Sequence, residues 1–208
     1  VTRLSIPGNA CVHCGTTISQ DLECPGCGWI DPLTKQAAKE TTIEERYEEL
    51  CRTPSDINEH LPVLRLYADR CEHVTEFGVR GCVSLHAFLA SKAKKVTAYD
   101  IANVAVPECE KLTFINADVL AVSIDRTDML FIDTLHTADQ LRDELDLHSA
   151  KVQKYLAFHD TAIYGEHGED GGPGLNGVIA KFLIDVEPWW RECYRSTANN
   201  GLTILERK

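Results

Sequence analysis

Four cysteines near the start of the chain have spacing that suits metal chemistry. Cys11-Val12-His13-Cys14-Gly15 and Cys24-Pro25-Gly26-Cys27-Gly28 are two Cys-x-x-Cys-Gly turns, with nine residues between Cys14 and Cys24. Two thiolates at this spacing converge on one ion, and the glycine after the second supplies the left-handed backbone that the turn needs. Two such turns complete a tetrahedral four-sulfur site, with zinc expected and iron the chemical alternative. A closed set of four ligands points to a structural ion and leaves His13 a bystander. Such a ribbon either staples a short segment that has no core of its own or recognises a substrate, partner or subunit. The other five cysteines, Cys51, Cys71, Cys82, Cys109 and Cys193, are scattered singly. Single thiols beside a metal cluster suit a reducing compartment, so the expected location is cytoplasmic.

A second set of residues suits a nucleotide. His73–Gly78 reads as an apolar strand, and Gly78-Val79-Arg80-Gly81 leads it into a helix starting near Ser84. Glycines there let a ligand approach the backbone at the first strand–helix turn, the crevice where open α/β sheets bind nucleotides. Asp100 ends the next strand and can accept both hydroxyl protons of a ribose. Asp118 follows the third strand and can take an adenine amino group. Taken singly, each aspartate reads equally well as a solvated strand end or a helix cap; in register they form a binding set.

In this order the segments resemble class I S-adenosylmethionine-dependent methyltransferases. Within that class the chain is most similar to the small-molecule O-methyltransferases related to macrocin and rhamnosyl methyltransferases and to cephalosporin-hydroxylase-type proteins. Glu76-Phe77-Gly78-Val79-Arg80-Gly81-Cys82-Val83-Ser84 resembles their E-x-G-x-x-G-x-S motif, and Phe131-Ile132-Asp133-Thr134-Leu135-His136-Thr137 their F-I-D-x-x-H-[ST] stretch. Gln140–Leu147 resembles the helix that follows, Phe158-His159-Asp160-Thr161 the H-D-T strand end, and Gly177-Val178 a late G-V segment. The resemblance spans roughly residues 54–207. It implies that Glu76, Gly78 and Gly81 line the methionine part of the cofactor, that Asp100 holds its ribose and that Asp118 approaches its adenine. It also implies that the amides of Cys82-Val83-Ser84 meet the cofactor carboxylate, a use of the unpaired N–H groups at a helix start.

Asp133, His136, His159 and Asp160 form the candidate reaction centre, at the ends of two strands expected to be neighbours on the same sheet edge as Gly78. Carboxylates and imidazoles beside a methyl donor can deprotonate an acceptor hydroxyl, with His159 or His136 as base. They can also hold a divalent metal that acidifies and orients that hydroxyl. Related enzymes often bind Mg²⁺ with three carboxylates, including an Asp-Asp or Asp-Asn pair. This chain has Asp160-Thr161, which leaves Asp133 and Asp160 as candidate Mg²⁺ ligands, helped by His136, His159 or Glu166. The plainer alternatives are a His159 that only bonds a neighbour and a solvent-facing His136. The segment from Gly165 to Gly174 has five glycines in ten residues and no apolar anchor, as expected of a mobile lid or a flexible connection.

The elements that must carry these groups alternate. Residues 41–69 show helical spacing, with Thr41-Thr42 followed by acids at the helix start and Ser55 as N-cap after Pro54. Strands are expected over 73–78, 95–99, 112–116, 129–133 and 155–159, and helices over 84–93, 102–109, 137–152 and 178–186. Two further strands flank Asn199-Asn200-Gly201, a strong hairpin signal. Trp189-Trp190 suits core packing better than a ligand platform. The fold class is thus α/β, a Rossmann-like, mostly parallel sheet closing in an antiparallel hairpin. The expected organisation is a zinc ribbon over 1–35, a helical connection over 36–70 and a methyltransferase domain over 71–208.

At 44 % hydrophobic and 25 % charged, the 208 residues suit an ordinary globular chain with no membrane span. The start, Val1-Thr2-Arg3-Leu4, has no Met and no signal-peptide core. A net charge of −11 argues against a nucleic-acid partner. The expected function is methyl transfer from S-adenosylmethionine to a small-molecule hydroxyl, with structural zinc, a candidate Mg²⁺, and room for a homo-oligomer. The competing readings are a non-catalytic zinc-ribbon and Rossmann-like binding module, and an NAD-dependent oxidoreductase. Asp100 lies 19 residues after Gly81, as an NAD ribose contact would, but the first tight glycine pair of a dinucleotide fingerprint is missing.

Overall fold

Runs of apolar residues in four short segments build the centre of a sheet buried on both faces. The computed structural model describes residues 41–186 and 188–208; Cys11, Cys14, Cys24 and Cys27, and with them the expected ribbon, lie outside those residues. Five strands are parallel: β1 (His73–Phe77), β2 (Lys95–Asp100), β3 (Leu112–Asn116), β4 (Thr127–Ile132) and β5 (Val152–His159). The pair β6 (Trp190–Ser196) and β7 (Leu202–Arg207) closes one edge, with β7 antiparallel to β5. The spatial order is β3-β2-β1-β4-β5-β7-β6. The expected mostly parallel sheet with a C-terminal antiparallel hairpin is what the chain forms.

Successive strand residues alternate between two apolar layers. Val74, Val96, Met129, Phe131 and Ala157 face one layer, which α1 (Ile43–Arg52), α2 (Leu61–Ala68) and α3 (Val83–Leu89) cover. Phe77, Leu130, Ile132, Leu156 and Phe158 face the other, under α4 (Ala138–His148) and α5 (Leu175–Asp185). The helices before β1, expected as a connection, therefore supply one covering layer of the sheet. Thr42 caps α1 in a reciprocal capping box with Glu45. The Ser55 hydroxyl accepts the amides of Ile57 and Asn58, opening a short turn that leads into α2. Among the described residues no helix is long and apolar enough to cross a membrane.

Three expectations are corrected. Residues 102–109 form no helix; Pro107 disfavours helical backbone at Val106, and Val104 and Val106 pack against the core instead. Of the tryptophan pair, only Trp190 is buried, against Phe182, while Trp189 is exposed. The glycine-rich segment has more anchorage than its composition suggests. His167 and Pro173 bridge, Leu175 is buried, and Glu169 exchanges backbone and side-chain bonds with His136.

The order of strands reverses at β1, which has β2 on one side and β4 on the other. The crevice at their carboxyl ends is the topological switch point of the sheet. Gly78 leaves β1 there with φ +82°, and a Cβ on it would lie 2.0 Å from the carbonyl oxygen of Asp133. Gly78→Ala is expected to cost at least about 2 kcal/mol, because both the backbone angle and the space forbid a methyl group. Denaturant unfolding at an unchanged midpoint would refute this.

Candidate active site

The turn after β1 is held open by β2. Asp100 Oδ2 accepts the amides of Val79 and Arg80, at 2.8 and 2.9 Å, and Oδ1 accepts that of Ala102 at 2.8 Å. Burial alone would raise this carboxyl, but the three amides hold it below the usual carboxylate range. Arg80 and Cys82 both take positive φ, which only small or locally bonded residues adopt readily. A cleft of about 580 Å³ lies over this turn, walled by Gly78, Asp100, Asp118, Leu135, Gln140 and Glu169 among others.

The residues carried over for a cofactor divide into two groups. Gly78, Asp100 and Asp118 line the cleft. Glu76 and Ser84 are buried and hydrogen-bonded to each other. Burial pushes Glu76 well above the usual carboxylate range, with Asp133 and Asp100 adding to the effect, and its Oε2 has no hydrogen-bond partner among the described residues. Gly81 is exposed, and a Cβ there would meet only Val83 at 3.9 Å, so packing does not require glycine.

Asp133, His136, His159 and Asp160 meet at the carboxyl ends of β4 and β5. His136 Nε2 lies 2.7 Å from Asp160 Oδ2 and 3.4 Å from Asp133 Oδ1. His159 Nδ1 lies 3.2 Å from Asp133 Oδ1 and 3.5 Å from Asp160 Oδ2. Its Nε2 faces two backbone carbonyls, of Asp56 and Asn199, each at 3.1 Å. Every neighbour of the His159 ring nitrogens is thus an acceptor, and the imidazole holds both protons. Burial opposes charge on both rings, but the two carboxylates outweigh it, pushing His136 up to about 9 and His159 to about 10. Burial would likewise raise the two aspartates, and the imidazoles hold both below their ordinary range. The His159 side chain is 1 % exposed. A doubly protonated, buried ring does not fit the expected general base; His159 is a fixed cation. Asp133 and His136 also line the cleft.

Elements remote in sequence aim this cluster. Asp160 has φ +59°, a left-handed conformation unusual outside glycine and asparagine. The hairpin tip holds the turn that follows it, through the Asn200 carbonyl and the amides of Ala162 and Ile163. His136 stacks on Tyr164 with centroids 4.8 Å apart. The loop acid that reaches His136 is Glu169, which accepts its backbone amide at 2.9 Å, whereas Glu166 is exposed. Nothing in the sequence tied Glu169, Asp56, Asn199 and Tyr164 to this site, because each is brought in from a loop or a turn. Glu144 did carry one, an acid on the helix face that buries Leu141 and Leu145.

No family model matches this chain, and no curated protein matches it. Its likeness to solved structures is extensive. A Corynebacterium glutamicum protein superposes with a TM-score of 0.58 at 13 % identity, covering 84 % of this chain and 94 % of its own. The Burkholderia thailandensis 1,6-didemethyltoxoflavin-N1-methyltransferase, solved with S-adenosylhomocysteine, gives 0.56 at 16 % identity, covering 77 % and 81 %. A Bacillus cereus O-methyltransferase in complex with S-adenosylhomocysteine gives 0.51 at 13 % identity, covering 85 % and 95 %. At these identities the likeness establishes the fold, which is the α/β Rossmann-like methyltransferase fold.

The charge state of the cluster has a pH signature in chelator-treated protein. Imidazoles raised on folding contribute stability that is complete below about pH 6.5. That stability declines as pH rises toward the folded values of about 9 and 10. The depressed carboxylates contribute stability present above about pH 4 and lost as pH falls through their folded values. Thermal melts between pH 6.5 and 10 are expected to show a falling midpoint that His159→Gln flattens. Identical slopes in the two proteins would count against the imidazolium.

Proposed function

We propose that the chain transfers a methyl group from S-adenosylmethionine to a hydroxyl of a small molecule, a sugar or natural-product-like acceptor. The observation that carries this reading is the junction of two features at one sheet edge. A cleft with Gly78, Asp100 and Asp118 in its wall opens directly onto Asp133 and His136. S-adenosylmethionine supplies an electrophilic methyl on a sulfonium centre. Asp100 would accept ribose hydroxyls on the lone pairs its three amide bonds leave free. The neutral Glu76 carboxyl and the start of α3 would face the methionine end.

Asp133 is the group placed to take the proton. It lines the cleft, and both imidazoles bond one of its oxygens, Oδ1. A carboxylate held at low pKa is a weak base toward a free hydroxyl. As the new C–O bond forms, however, the hydroxyl becomes strongly acidic, and a weak base placed within reach suffices. His159 and His136 keep Asp133 ionised and oriented until then.

The same atoms fit a divalent cation. Asp133, His159 and Asp160 each offer one donor atom, all within 4.8 Å of one another. Asp160 Oδ1 is buried with no partner, and His159 Nε2–H rests on carbonyls, as ligating histidines usually do. A bound ion would take these three groups, with His159 giving up its Nδ1 proton, and would supply Lewis acidity. An imidazole in the set suits Mn²⁺ or a similar first-row ion better than the expected Mg²⁺, which prefers oxygen alone. We also propose structural zinc at Cys11, Cys14, Cys24 and Cys27. The free thiols at the five other cysteines suit the cytoplasm.

Calorimetry with S-adenosylhomocysteine is expected to show micromolar binding, with NAD inert; absence of binding would overturn the reading. Asp133→Asn should retain that affinity within about twofold while labelled-methyl transfer to a panel of hydroxylated acceptors falls by roughly a hundredfold or more. Unchanged turnover in this variant would remove Asp133 from the reaction. Mn²⁺ is expected to raise the melting midpoint more than equimolar Mg²⁺, and His159→Gln to abolish the difference.

A further inference from the structure

Helix α4 turns a ridge of three polar side chains inward. Gln140, Glu144 and His148 lie four residues apart and so follow one face. That face also buries Ala138, Leu141 and Leu145. His148 Nε2 donates to the carbonyl of Val119 at 2.9 Å, in the turn beyond β3. Glu144 Oε1 accepts the Thr134 hydroxyl at 2.6 Å, just beyond β4, and the amide Nε2 of Gln140 at 2.8 Å. Val119, Thr134 and Gln140 all wall the cleft. The ridge therefore holds two of the loops that wall it.

Glu144 is an expensive residue in this position. It is 0 % exposed, and its Oε2 has no hydrogen-bond partner among the described residues. Apolar packing alone would favour a leucine here, so the carboxyl is there for what its bonded oxygen does. That oxygen is an acceptor for both Thr134 and Gln140, and it obliges the Gln140 amide to turn its NH₂ inward. Gln140 Oε1 is left pointing away from the ridge and has no protein partner among the described residues. Val119, Leu120, Leu135 and Asp118 also wall the cleft. Apolar walls with hydrogen-bond acceptors at the rim suit a flat heteroaromatic ring that carries an exocyclic amino group.

We propose that Gln140 Oε1 reads the 6-amino group of the cofactor's adenine, taking one of its two protons while Asp118 takes the other, with Glu144 as the positioning residue that fixes the amide. The assignment rests on the S-adenosylmethionine reading and goes beyond it by naming what selects adenine. An amino group donates to Oε1. A 6-oxo group in its place would set acceptor against acceptor, because Glu144 prevents the amide from flipping.

The test titrates the full chain calorimetrically with S-adenosylhomocysteine and with S-inosylhomocysteine, its 6-oxo counterpart. The wild type is expected to prefer the adenosyl compound by roughly tenfold or more. Gln140→Leu should narrow the preference several-fold, chiefly by weakening the adenosyl compound, with Asp118 holding the remainder. Glu144→Gln removes a buried acid with an unbonded oxygen, so it should melt no lower than wild type. It should nevertheless narrow the preference, since its own amide can present either atom to Gln140. A full preference retained in Gln140→Leu overturns the role of Gln140, and one retained in Glu144→Gln overturns the positioning role. Failure of the wild type to bind either compound overturns the cofactor reading itself and the adenine assignment with it.

Discussion

The buried imidazole of His159 is the interaction on which the arrangement of the site depends. On one side it meets both aspartates of the cluster, and on the other it meets two main-chain carbonyls. Those carbonyls belong to Asp56, in the turn before α2, and to Asn199, at the tip of the β6–β7 hairpin. One ring therefore ties the end of β5 to segments 103 and 40 residues away. A buried charge is tolerated only when paired and fully bonded, and removing one member of such a set typically costs about 3–5 kcal/mol. With two carboxylates and two imidazolium rings the cluster is neutral overall, which is how it can sit so deep without dismantling the fold.

The cluster and the cleft are joined by a backbone contact between β1 and β4. Gly78 packs directly on the carbonyl of Asp133, so the glycine-containing turn and the base of the cluster move as one piece. Asp100 grips the same turn from β2 through two amides. Three adjacent parallel strands thus fix one another's carboxyl ends, and the site inherits the rigidity of the sheet. The likeness to solved methyltransferases is a likeness of fold, and fold alone does not fix what a site does.

Much of the framework was legible in the residues. The strands could be read because each is a short apolar run bounded by turn residues, and the hairpin because Asn199, Asn200 and Gly201 all take positive φ. Asp133, His136, His159 and Asp160 could be placed together because strand ends in a parallel sheet share an edge. What could not be read was the protonation and exposure of those groups. Whether His159 is a base or a cation depends on which atoms face Nε2, and both come from distant segments. The false helix at 102–109 arose from composition alone, since nothing local shows that Val104 and Val106 have a core to pack against. The glycine-rich loop read as free because its anchor, Glu169 on His136, joins residues 33 apart.

Unsatisfied polarity in the described residues is not scattered. The buried side-chain atoms without hydrogen-bond partners are Thr75 Oγ1, Glu76 Oε2, His136 Nδ1, Glu144 Oε2, His148 Nδ1 and Asp160 Oδ1. They belong to β1, to α4 and the turn before it, and to the end of β5, the elements that surround the switch point. Positive φ at Arg80, Cys82 and Asp160 is found on the same edge. Folding alone would remove both kinds of cost, because each orphaned atom or strained angle lowers stability and an apolar or relaxed substitute is easily found. Most of these atoms and angles lie on the strands and turns that flank the carboxyl ends of β1 and β4. The distribution of strain and unpaired groups therefore leads to the same crevice as the sheet topology, by a route independent of any likeness to other proteins.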